Sequence, residues 1–265
     1  MGIPARPPFE LSKWYVDAVG LSGDVFVGYR ANLRWRRLSV AYASTLTGET
    51  DESWTRSTVR PGKEPDFLEG ALAWDEPRLD VSATWRGTAR PIVRTLHESP
   101  EGAVVWRCLM PSAKAIVSSR SSVLRGLGYA EHLSMTLAPW RLPIDTLLWG
   151  RFLSPERSVV WIDWRAESGP PRTWVFFDGR DVRGEVSEED VFFEGGRVRL
   201  PQRDRLVLRS GRLSHLLRNL RFPGRLPIPA LAIHETKWRT RGCLEIDGAP
   251  PVEGWAIHEV VRMKA

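Results

Sequence analysis

Cysteine is nearly absent from this chain: 265 residues include only Cys108 and Cys243. Two thiols cannot form a disulfide framework, nor a metal cage by themselves, and both are expected to be small buried apolar residues. Long apolar runs are missing as well. No window approaches the roughly 18 to 20 apolar residues that a membrane-spanning helix needs. The opening MGIPARPPFE lacks the apolar core of a signal peptide, so the expected location is cytoplasmic. Signature loops are equally scarce. There is no G-x-S-x-G elbow and no P-loop, and GLGYAE carries Glu131 where a dinucleotide-binding fingerprint would have its last glycine. Hydrolase, kinase and dehydrogenase readings fall away, and no cofactor is expected.

Lysine is rare: 33 of the 38 basic residues are arginine. A net charge of +6 invites a nucleic-acid reading. The basic residues are scattered, however, and no helix-turn-helix, finger or RNA-binding signature accompanies them. Charge alone argues for non-specific attraction, so no specific nucleic-acid partner is expected. Four of the five histidines adjoin a glutamate, at His97-Glu98, Glu131-His132, His234-Glu235 and His258-Glu259. Adjacent residues of a strand face opposite ways, so no such pair can chelate from one strand, and no metal site is expected.

What the chain has in abundance is strand-forming sequence. Runs rich in Val, Trp, Phe, Tyr and Thr, such as WYVDAV (14–19), DVFVGYRANLRW (24–35), LSVAYAST (38–45), AVVWRCLM (103–110), SVVWIDW (158–164) and TWVFFDG (173–179), are bounded by Gly, Pro, Ser and Asp. Turn signals at Ser22-Gly23-Asp24, Ser99 to Gly102, Asp178-Gly179, Glu194 to Gly196 and Asp247-Gly248 predict antiparallel reversals. Only Leu142 to Phe152 and Leu213 to Leu220 have helix-like apolar spacing, and both are short enough to be loops. VLRGLGYAEHL (123–133) is echoed by CLEIDGAPPVEGWAIHEVV (243–261), with Gly128 and Gly254 lying 126 residues apart. The fold class is therefore all-β, with two similar antiparallel β-barrel or sandwich domains in tandem, at 1–138 and 139–265.

Between Gly126 and Trp164, ionisable groups crowd among aromatics. On an extended strand Tyr129 and Glu131 share a face and His132 looks away. Trp149 pairs with Arg151 on another strand, and Trp161 with Asp163 on a third. If the three strands are neighbours, Tyr129, Glu131, Trp149, Arg151, Trp161 and Asp163 face one cavity. A buried carboxylic acid walled by tryptophan stays protonated near neutral pH and can deliver a proton to carbon, and aromatic faces stabilise the resulting cation. The expected catalytic set is Glu131 as acid, Asp163 as its partner and Tyr129. Trp140, Trp149, Trp161, Arg151 and His132 are the substrate-binding candidates. The opposing reading is that Arg151 merely neutralises Glu131 and Asp163 in a buried ion-pair network.

The run Gly-x-Gly-Tyr-x-Glu-His at 126–132, followed by Pro139-Trp140, Leu-x-Trp-Gly-Arg at 147–151 and Val-Val-Trp-Ile-Asp at 159–163, resembles the carotenoid 1,2-hydratase (hydroxyneurosporene synthase) and AttH-like superfamily. The resemblance is strongest over 126–179; GWAIHE at 254–259 and KWYVDA at 13–18 are compatible with it. It implies two lipocalin-like β-barrels in tandem. Some members add water to isolated double bonds or guide polyene cyclisation without a cofactor. Where those hydratases carry a Tyr-His-Asp-His-Asn-like run, this chain has Tyr129-Ala130-Glu131-His132-Leu133, which lacks the first His and the Asn. The expected function is a cofactor-independent lyase or cyclase acting on a hydrophobic polyene or terpenoid-like molecule. The alternative is a non-catalytic carrier of an apolar ligand.

Overall fold

The computed structural model describes residues 8–49, 52–119, 122–166, 168–212 and 233–263. The first half forms β1 (Phe9–Gly20), β2 (Val25–Trp35), β3 (Leu38–Glu49), β4 (Glu52–Thr58), β5 (Asp66–Leu68), β6 (Ala71–Glu76), β7 (Val81–Gly87), β8 (Ile92–Ser99), β9 (Gly102–Ser119) and β10 (Ser122–Met135). The second forms β11 (Thr146–Leu153), β12 (Ser158–Arg165), β13 (Arg172–Phe177), β14 (Arg180–Val182), β15 (Gly184–Val186), β16 (Asp190–Phe193), β17 (Gly196–Arg199), β18 (Arg205–Arg212), β19 (His234–Ile246) and β20 (Val252–Arg262).

Each half is one 10-stranded antiparallel sheet. The first runs β4-β3-β2-β1-β10-β9-β7-β6-β5, with β8 also on β9; the second repeats this order with every number raised by ten. The echo between 123–133 and 243–261 is thus a pair of equivalent closing strands, β10 and β20. Segment 142–152 is a short loop followed by β11, because its apolar residues alternate between two buried faces instead of following one helical stripe. Residues 213–220, the other helix-like stretch, lie outside the described residues. Cys108 is buried as expected, whereas Cys243 is partly exposed. Among the described residues no helix is long and apolar enough to cross a membrane.

Strand alternation builds three cores. One face of the first sheet closes around Val16, Phe26, Trp74, Trp85 and Met110. The equivalent face of the second closes around Leu148, Phe152, Trp161, Val175 and Phe193. The remaining faces of both sheets meet in a third core, where Tyr15, Tyr29, Trp106 and Tyr129 of the first half contact Trp149, Ile162, Phe176 and Ile257 of the second. Cross-sheet aromatic contacts mark the seam: Tyr15 lies edge-on to Trp149 at 4.9 Å, and Trp106 stacks on Phe176 at 5.5 Å.

Strand β9 feeds two of these cores because its pairing with β10 shifts twice, between Gly128 and Ala130 and between Ala130 and Glu131. Bulges add residues to one strand and re-aim those beyond them. Val104, Trp106 and Cys108 therefore face the seam, while Met110, Ala113, Ala115 and Val117 face the first barrel. Pro111 sits inside the irregular stretch, where a missing N–H costs no ladder bond.

Candidate functional site

The odd-numbered residues of β10 point into the seam, which brings Tyr129 and Glu131 together beneath β11. Glu131 is 8% exposed. Its Oε2 accepts hydrogen bonds from the Tyr129 hydroxyl at 2.6 Å, from the Trp106 indole N–H, and from the Trp149 N–H of the other half at 3.3 Å. Burial raises the Glu131 pKa; the bonds from Trp106 and Tyr129 and the charge of Lys13 only partly offset this. Among the described residues all three donors fall on one oxygen. In the neutral acid Oε2 is therefore the carbonyl oxygen, and the proton sits on Oε1. Burial likewise pushes the Tyr129 hydroxyl well up, so it remains a donor.

Arg151 answers a different acid from the two expected. It holds Asp17 of β1 in a bidentate pair, Nη2 to Oδ1 at 2.7 Å and Nε to Oδ2 at 3.2 Å, and donates through Nη1 to the Trp255 carbonyl at 2.7 Å. Both partners of the pair are fully buried. The Tyr15 hydroxyl completes the arrangement by donating to Asp17 Oδ2 at 3.0 Å. Arg151 thus fastens one half to the other, and its donors are spent on Asp17 and Trp255 instead of on Glu131 or Asp163.

Asp163 and Trp161 do not join Glu131. The register pairs Trp149 with Ile162 and Arg151 with Val160, so the odd residues of β12 lie on the opposite face from the odd residues of β11. Trp161 fills the second barrel. Asp163, on the same strand face, pairs with Arg165 at 2.6 Å and accepts from the Thr173 hydroxyl at 2.5 Å. The expectation that all six residues face one cavity is corrected: four of them, Tyr129, Glu131, Trp149 and Arg151, face the packed seam, and Trp161 and Asp163 do not. His132 looks away from the seam, within 2.9 Å of the Ser12 hydroxyl and against the Trp14 ring at 4.8 Å. Trp140 lies on the turn Pro139–Arg141 between the halves, edge-on to Phe9 and Trp35 at the rim of the seam.

The seam holds further groups that the sequence reading did not assign. Lys237 of β19, 1% exposed, bonds to Glu259 of β20 and lies over the rings of Tyr15 at 5.1 Å and Trp149 at 4.9 Å. Burial lowers its pKa, but Glu259, Tyr29 and Glu235 outweigh that and hold the ammonium well above its ordinary value. Arg209 of β18 faces Glu235 of β19 at 3.6 Å. All four tyrosines of the chain, Tyr15, Tyr29, Tyr42 and Tyr129, pack in this core. Lysine scarcity was the one legible signal for Lys237; Asp17 and Tyr15 lay within KWYVDA, but their partner was on a strand 134 residues away.

Three cavities among the described residues lie elsewhere. One of about 490 Å³ opens at the end of the first barrel around Leu21, Phe26 and Leu124. One of about 660 Å³ lies between Thr88–Arg90 and the turns at 155–158 and 178–180. The third, about 600 Å³, flanks Phe192 and Ile246. The seam core itself is edged by partly buried apolar residues that include Leu11, Leu33, Leu133, Leu147, Leu206 and Met263.

Two ten-stranded antiparallel sheets in tandem, packed face against face, form a lipocalin-like architecture. Solved structures carry the same fold. CghA in complex with Sch210972 aligns with a TM-score of 0.58 at 10% identity, over 97% of this chain and 89% of that one. Kievitone hydratase of Nectria haematococca aligns at 0.55 and 12% identity, over 96% and 89%. An AttH-type protein of Nitrosomonas europaea aligns at 0.55 and 10% identity, over 100% and 97%. No protein-family model matches the sequence, and no curated protein matches it.

Proposed function

We propose that this chain, with 1–138 and 139–265 as its two units, is a cofactor-independent lyase that protonates a double bond of an apolar, polyene or terpenoid-like molecule held at the seam. Glu131 is the acid. The observation that carries this reading is a buried carboxyl whose Oε2 takes all three donors, leaving Oε1 to carry a transferable proton. Hydration is balanced as follows: the Glu131 proton adds to one alkene carbon, water attacks the cationic neighbour, and the proton lost by that water returns to the Glu131 carboxylate. In a cyclisation a second double bond replaces water, and loss of a neighbouring proton to Glu131 closes the cycle. Kievitone hydratase, similar in fold, bears a hydratase name, which agrees with this class of reaction. Asp163 takes no part, because it faces the second barrel.

The test begins with mass spectrometry of apolar small molecules that copurify with the protein, followed by turnover of the compound identified. Glu131→Gln keeps the shape and the three donors' acceptor but has no acidic proton. It should lower turnover by roughly 10²- to 10⁴-fold while leaving ligand affinity intact. Unchanged product formation in this variant would refute the reading. A ligand that binds tightly and is never converted by the wild type would favour the carrier.

A further inference from the structure

Lys13 is the exception among the charged groups around Glu131. It shares a face of β1 with Tyr15 and Asp17 and lies opposite Leu133 of β10 and Ala31 of β2. Its ammonium rests over the Tyr29 ring at 5.2 Å; its charge reaches Glu131 and Glu235, but no carboxylate lies within ion-pair distance of it among the described residues. Its neighbours are accounted for. From β18 and β19, Arg209 faces Glu235; from β19 and β20, Lys237 is bound to Glu259; from β1 and β11, Asp17 is bound to Arg151. The remaining titratable groups, Tyr29 of β2 and Tyr42 of β3, are held neutral by burial. Three cations, Lys13, Arg209 and Lys237, therefore face two carboxylates once Glu131 is protonated, and one positive charge is left over. Lys13 is half-buried at the edge of the seam core, on the strand of Leu11 and across from Leu133, both partly buried against that core. A cation in low-dielectric surroundings attracts one counter-charge strongly.

Resting on the proposed function, we infer that Lys13 is the anion anchor of the seam, and that the substrate is an apolar molecule carrying a single acidic oxygen group, a carboxylate, phenolate or enolate. The arrangement links recognition to chemistry. Lys13 is one of the groups that pull the Glu131 pKa down. An anion paired with Lys13 cancels that pull and favours the protonated acid, so a substrate with the right head group helps to load the proton it will receive.

Binding of a fluorescent polyene fatty acid, parinaric acid, and of its methyl ester tests this without knowledge of the natural substrate. The wild type should bind the acid about tenfold more tightly than the ester, the worth of one charge-assisted bond. Lys13→Met, which keeps the apolar stem, should abolish the preference, Lys13→Arg should retain it, and Glu131→Gln should leave it in place. Thermal unfolding shows that each variant is folded. Equal wild-type affinities, or a preference that survives Lys13→Met, overturn the anchor and leave the acid-catalysis reading standing. Failure to bind either compound overturns both.

Discussion

The two halves of this protein use one scaffold to opposite ends. Register aligns Tyr129-Ala130-Glu131-His132 of β10 with Trp255-Ala256-Ile257-His258 of β20, and Tyr15 of β1 with Arg151 of β11. The residues the halves share face the barrels. Ala130 and Ala256 are fully buried there. Gly128 and Gly254 admit close contacts that a Cβ would block, against Trp85 and Phe152 respectively. His258 accepts or donates a 2.9 Å bond with Thr240 and stacks on Trp238, and burial, reinforced by Arg205 and Lys237, drives its pKa down to about 3. The residues that differ face the seam. There the first half supplies Asp17, Glu131, Lys13 and the tyrosines, and the second supplies Arg151, Lys237, Glu235 and Glu259. The halves are alike where each closes its barrel and differ where they meet at the seam.

The largest expected effect comes from breaking the tie between the halves. Arg151→Met leaves Asp17 buried without its cation and should cost about 3–5 kcal/mol in denaturant unfolding. The double variant Asp17→Asn with Arg151→Met should recover much of that loss. If the single variant were as stable as the double, the pair would not be what locks the seam. Asp163→Ala sharpens the same contrast from the barrel side. It orphans Thr173 and Arg165 and should cost roughly 1–3 kcal/mol of stability while leaving turnover unchanged. Lost turnover with intact folding would return Asp163 to the site.

Tyr129→Phe removes one of three donors from Oε2, for about 1 kcal/mol of stability. It should also move the alkaline limb of the pH–rate profile to higher pH, since the lost bond favours the carboxylate and the acid then keeps its proton further up. Protonation supplies the smallest effect. Glu131 has a raised pKa, so between the ordinary carboxylate value and its own the folded protein holds a proton that the unfolded chain has released. Stability is then fully present below the ordinary value and falls as pH rises through the window, by at most about 1.4 kcal/mol per pH unit. Glu131→Gln should remove this contribution, so the difference between the two unfolding curves should widen with pH.

Much of the fold was legible. Runs such as DVFVGYRANLRW and SVVWIDW announced strands, and the spacing of Gly128 and Gly254 announced the repeat, because both depend on local pattern. Alternation also placed Tyr129 with Glu131 and Trp149 with Arg151 correctly within their strands. It could not say which face of β12 would meet which face of β11, and an odd-to-even register sent Trp161 and Asp163 into the second barrel. Trp106 was hidden for a related reason. It reaches Glu131 only because the irregular pairing near Pro111 turns the early part of β9 toward the seam, and a bulge leaves little mark in sequence. Asp17, Lys237 and Glu259 were invisible as a group because the contacts that bring them to the seam join strands more than a hundred residues apart.

The central claim is that Glu131 carries its proton at neutral pH, and infrared difference spectroscopy between the wild type and Glu131→Gln tests it without any substrate. The account predicts a protonated-carboxyl C=O stretch at pH 7 that is present in the wild type and absent from the variant. A difference spectrum with only carboxylate bands would contradict it.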